Sequence, residues 1–84
     1  MASITYFVVI PFAPDPDGEL TAGEPIEART PSGAVFRAKA AALNDGGAIA
    51  FSRSGDPSLG EFEDAVILTR EGIVPDDLAA YVSG

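Results

Sequence analysis

The chain has no cysteine, no histidine and no tryptophan, and only five Lys and Arg residues among 84. Without cysteine there is no disulfide and no thiolate nucleophile, and without histidine the commonest acid/base side chain is gone as well. The two absences together remove the usual ligand sets of structural zinc. Most enzyme classes go with them, so the sequence predicts a protein that is not an enzyme, with no cofactor and no metal. The scarcity of base matters separately. Thirteen Asp and Glu residues leave a formal net charge of -8 and a sequence pI near 4.1, which disfavours direct contact with nucleic acid or an anionic membrane surface. Met1-Ala2-Ser3 carries no cation, and the apolar run Ile4 to Phe12 is followed by Pro14, Asp15 and Pro16 instead of a cleavage site. That run is also too short to cross a bilayer as a helix. The pattern is not that of a signal peptide, and a cytoplasmic location is expected.

What is present suits one small core. Hydrophobic residues make up 46% and charged residues 21%, enough apolar surface to fold and too little length for a second unit, so residues 1–84 are read as a single α+β domain. Ile4 to Phe12 is apolar on both faces and reads as a central strand. Ala13 to Gly23 is dense in Pro, Asp and Gly, and 13–29 is expected to be mostly surface loop, with Glu24 to Arg29 at best a short edge strand because of Pro25. Thr30 caps and Pro31 opens a helix over about 31–44, its core stripe expected from Val35, Phe36, Ala40 and Leu43, flanked by Ala38 and Ala42. Asn44-Asp45-Gly46-Gly47 ends it. Ala48 to Ser54 and Phe62 to Arg70 read as a hairpin, and Pro75-Asp76-Asp77 opens a short C-terminal helix presenting Leu78, Tyr81 and Val82. The predicted order is β-α-β-β-α, a three- or four-stranded mixed sheet with the long helix on one face. The helix joining the first two strands makes a parallel crossover. Unless the short helix and the 13–23 loop wrap the other sheet face, that face must meet another chain, and a homodimer is expected on this ground.

The charge is unevenly distributed. Residues 1–28 hold five acids and no base, residues 29–55 four bases and one acid, and residues 56–84 seven acids and one base. Arg37, Lys39 and Arg53 therefore lie in a positive island between acidic flanks. Arg53, Ser54 and Gly55 join a cation, a hydroxyl and a flexible backbone, the composition of an anion nest, and with Arg37 and Lys39 they are the candidate contacts for an anion or a partner. Asp15, Asp17 and Glu19 fail calcium-loop spacing, since the glycine comes early and Ile26 stands where the bidentate Glu belongs. The cluster Glu61, Glu63 and Asp64 reads as gatekeeping charge beside an apolar strand.

The run Ala48-Ile49-Ala50-Phe51-Ser52-Arg53, then Gly55-Asp56-Pro57, then Gly60-Glu61-Phe62-Glu63-Asp64-Ala65, together with Tyr6-Phe7-Val8-Val9-Ile10-Pro11-Phe12, resembles a group of short alphaproteobacterial proteins of unassigned function. The resemblance implies a compact bacterial single domain and carries no catalytic residue or cofactor. The functional expectation is a protein-interaction or regulatory module with a protein partner. Its alternatives are an acidic nucleic-acid mimic that occupies a basic partner, or a domain that binds a small anion or metabolite.

Overall fold

The computed structural model describes residues 3–82. Two long strands form the middle of its sheet: β1 (Ile4–Pro14) and β4 (Gly47–Asp56) run antiparallel, from Ile4 opposite Gly55 to Phe12 opposite Gly47. On one face of this pair Val8 lies opposite Phe51 and Ile10 opposite Ile49, residue types that fill a pleated surface, and on the other Val9 lies opposite Ala50. Outside β1 lie β2 (Leu20–Ala22) and β3 (Ile26–Ala28); outside β4 lie β5 (Glu61–Phe62) and β6 (Val66–Gly72). Every pairing is antiparallel.

The sheet therefore differs from expectation in two ways. Among the described residues it has six strands instead of three or four, because each outer row is broken: Gly23 to Pro25 separates β2 from β3, and Glu63 to Ala65 separates β5 from β6. It is also antiparallel and not mixed. The chain returns along β1 through β2 and β3 before the long helix begins, so β4 meets β1 from the opposite direction. The crossover instead links β3 to β4, which run the same way with β1 between them.

The 13–29 stretch, expected to be mostly loop, is that return row. Asp15 accepts hydrogen bonds at Oδ1 from the Asp17 and Glu19 amides, both at 2.9 Å, and Gly18 adopts φ +86 to close the turn, as the Asx-turn chemistry of this segment allows. Pro25, which has no amide to donate, falls in the gap between β2 and β3. The Gly23 amide still reaches the Pro11 carbonyl at 2.8 Å and keeps the row attached.

Helix α1 (Pro31–Asp45) starts and stops where its sequence directs. Thr30 Oγ1 accepts from the Gly33 amide at 2.9 Å, Pro31 occupies the first turn, and Gly46, at φ +119, ends the helix with its amide on the Ala42 carbonyl. Its buried face, however, is made of alanines. Ala34 and Ala38 are fully buried against Val9, Ala48 and Ala50, with Ala41 and Ala42 packed beside them. Phe36 and Leu43, expected in the core, are 73% and 89% exposed. Small residues on both helix and strand let the helix axis settle close to the sheet, and that closeness leaves no room for the larger side chains.

The opposite sheet face is covered from within the chain. Ile10, Phe12, Ile49 and Phe51 form a second cluster closed by Leu78, with Val74 and Val82 against it. Phe12 meets Tyr81 edge-to-face at 5.1 Å between ring centroids. The C-terminal helix α2 (Ala79–Val82) is shorter than expected and starts after Leu78, not at Pro75. The sheet face on which the expectation of a homodimer rests is thus covered by Val74, Leu78 and Val82.

Candidate interaction surface

Reversing the helix face places Phe36 and Leu43, two of the exposed large hydrophobic residues, on the outside of α1. Viewed along the axis at 100° per residue, Phe36, Ala40 and Leu43 lie opposite the buried alanines. Ala40 is exposed like its larger neighbours. Arg37 and Lys39 flank this strip, both exposed. Beside it runs a shallow trough of about 610 Å³ between α1 and β3, lined by Ile26, Gly33, Phe36, Arg37, Ala40 and Asn44 among others. Two large apolar side chains held out by a rigid, doubly capped helix cannot collapse inward, since the alanine face already fills the space beneath.

The five candidate contact residues do not form one site. Arg53 extends the row of Ile49 and Phe51 and projects on the α2 side of the sheet. Its Nη1 donates to the Val82 carbonyl at 3.1 Å, its guanidinium lies 5.4 Å from the Phe62 ring centroid, and its Nε is buried without a hydrogen-bond partner. The cation is thus engaged in holding the C-terminal helix and stacking on an aromatic ring. Ser54 points the other way, its hydroxyl paired with that of Thr5 at 2.8 Å. Gly55 is not in a flexible turn: it is a buried strand residue, paired with Ile4 and Phe62. A Cβ there would collide with the Glu61 carbonyl oxygen and the Phe62 ring. Arg37 and Lys39 sit on α1, across the sheet from Arg53. Of the five, only these two share a surface, and it is the one carrying Phe36 and Leu43.

The acids are arranged differently. Asp56, Glu61 and Glu63 surround an open hollow at the β4–β5 hairpin with Ser3, Leu59 and Phe62. Asp56 is committed to the turn itself, its Oδ1 accepting from the Ser58 hydroxyl at 2.6 Å and the Ser58 amide at 3.0 Å. The Ser58 hydroxyl is the main reason the Asp56 carboxyl is held below the usual carboxylate range, with the Ser58 and Leu59 amides adding to it. Among the described residues no group of three or more carboxylates converges as a metal-binding cluster, and no helix is long and apolar enough to cross a membrane.

Comparison with known proteins finds no match to a family model, to a curated protein or to a solved structure.

Phe36 and Leu43 escape sequence reasoning as surface residues because their spacing fits a core stripe equally well. The signal that separates the two faces is nonetheless present. Ala34, Ala38, Ala41 and Ala42 form a complete stripe of their own, and a helix with two apolar stripes has one to spare.

Proposed function

We propose that this protein is a non-enzymatic interaction module that docks a protein partner through the outer face of α1. The observation that carries this reading is the exposure of Phe36 and Leu43 on the side of a capped helix whose opposite face is fully packed. Exposed single apolar residues are ordinary on protein surfaces, but two large ones on one rigid strip with a trough alongside form a contiguous apolar patch of the kind that marks contact sites. Arg37 and Lys39 border the strip, which gives a basic rim within an acidic protein and orients an incoming partner. The absence of histidine and cysteine from the whole sequence supports binding in preference to chemistry.

The test is site-directed photo-crosslinking in the producing cell. With p-benzoylphenylalanine in place of Phe36 a protein adduct should form, and Leu43→Glu in the same chain should abolish it. The same probe in place of Ser58, on the hairpin turn, should give none. No adduct at position 36, or equal adducts at both positions, would sink the reading.

A further inference from the structure

The outer strip of α1 has a regular spacing: Gly33, Phe36, Ala40 and Leu43 follow one another at three, four and three residues, the repeat that brings side chains to a single seam between paired helices. Along the seam small and large residues alternate. From this we infer that the partner of α1 is α1 of a second copy of the chain, packed antiparallel about a two-fold axis close to Ala38. The inference rests on the reading of α1 as the docking face.

Antiparallel packing about that point sets Phe36 opposite Ala40 of the other copy and Leu43 opposite Gly33, and the two-fold repeats each pairing. Every layer then joins one large and one small side chain, so each large residue has a gap to fill and no two meet head-on. A parallel pair would set Phe36 against Phe36 and Gly33 against Gly33, clashing at one layer and leaving a void at the next. The strip is self-complementary only in the antiparallel sense, which is the requirement for an isologous two-fold interface.

The area places the contact in a size class. A helix of 15 residues is about 22 Å long and about 10 to 12 Å across, so two laid together bury on the order of 1,000 Å² in total. That is the lower limit for a specific interface, the size class of contacts that form and dissociate readily. Charge acts against it at low salt: each copy carries -8, and Arg37 and Lys39 flank the seam in both copies. Screening must therefore tighten the dimer.

Sedimentation of the purified protein across a concentration series tests each part. A monomer–dimer equilibrium should appear and tighten several-fold between about 0.02 M and about 0.5 M salt. Phe36→Ala, which leaves a gap facing Ala40, and Ala40→Phe, which sets two phenylalanines together, should each weaken it at least about tenfold. The double variant carrying both changes exchanges large for small at every affected layer and should return the dimer to within a few-fold of the starting protein. Circular dichroism of each variant separates loss of association from loss of folding, and both substitutions fall on exposed positions. A protein that stays monomeric at about 1 mM in high salt, or a double variant no better than the weaker single one, overturns the inference. If the chain is monomeric while the photo-probe at position 36 still captures another protein, self-pairing fails and the docking face stands. If both experiments are silent, both readings fall.

Discussion

Arg53 on β4 donates a hydrogen bond from Nη1 to the carbonyl oxygen of Val82 at 3.1 Å, joining the centre of the sheet to the last turn of the C-terminal helix. The same guanidinium stacks on Phe62 of β5, so one side chain links three elements.

Removing that link should loosen residues 74–82 before the rest of the domain. Arg53→Ala is expected to cost about 1 to 2 kcal/mol, the lower part of the range for a hydrogen bond to a charged group because the side chain is only half-buried. Arg53→Lys keeps the charge but loses the planar contact with Phe62 and should recover only part of it. Urea unfolding gives the energy. Hydrogen exchange should show the protection lost first around Leu78, and a uniform loss across β1 and β4 would contradict the linking role.

The two faces of α1 should respond oppositely to substitution. Ala38→Leu forces a larger side chain into the helix–sheet contact and should destabilise the fold by about 1 to 3 kcal/mol. Phe36→Ala and Leu43→Ala change at least as many atoms yet should alter stability by no more than about 0.5 kcal/mol each, because those atoms are exposed in the monomer. Denaturant titrations at low micromolar concentration make the comparison. A large loss at Phe36 would mean that it is packed after all.

Gly47, at the start of β4, has the Ile73 backbone pressed against the position a Cβ would occupy. Gly47→Ala should separate β4 from the end of β6 and cost at least about 1 to 3 kcal/mol. The amide cross-peaks of Gly72 and Ile73 should move most in a heteronuclear NMR spectrum. Unmoved Gly72 and Ile73 cross-peaks would contradict the close approach.

Asp56 supplies the pH prediction. Its folded-state pKa is depressed, chiefly by the Ser58 hydroxyl, so its contribution to stability is present above the unfolded carboxylate value, about 3.9, and is lost as pH falls through the folded value. The effect is thus confined to acid below about pH 4. Ser58→Ala should raise the Asp56 pKa toward that of an ordinary aspartate. Carbon-detected NMR titration of the carboxylate reads it directly, and an unchanged midpoint would remove the hydroxyl as the cause.

How much of this was legible in the sequence depended on how local the determinant was. Thr30, Pro31 and Gly46 act within a turn of where they sit, and the helix ends follow them closely. The two central strands were equally clear, since Ile4 to Phe12 and Ala48 to Ser54 carry their pattern within themselves. The direction in which those strands pair is decided elsewhere, by whether the chain turns back before α1 begins, and Gly23 and Pro25 break the returning row into pieces too short to stand out. The helix face failed for an energetic reason. Burying Phe36 and Leu43 would remove more apolar surface from water than burying alanines, but the sheet beneath presents Ala48 and Ala50, and a close approach of small surfaces took precedence. For the candidate site, Arg37 and Lys39 were recognised through charge alone. The apolar strip between them depends on which helix face the sheet takes up, and the bond from Arg53 to Val82 joins residues 29 apart in sequence, beyond the reach of local pattern.

The central ladder also has a cost in time. Val8 lies opposite Phe51, so β1 cannot acquire its main neighbour until the return row, all of α1 and most of β4 have left the ribosome. Until then its only available partners are β2 and β3, which follow it directly. Contacts between residues this far apart close slowly, because the intervening chain must be ordered before they contribute. The nascent chain therefore spends an interval as a local hairpin with one apolar edge of β1 open, the state in which it is most exposed to chaperones and to aggregation.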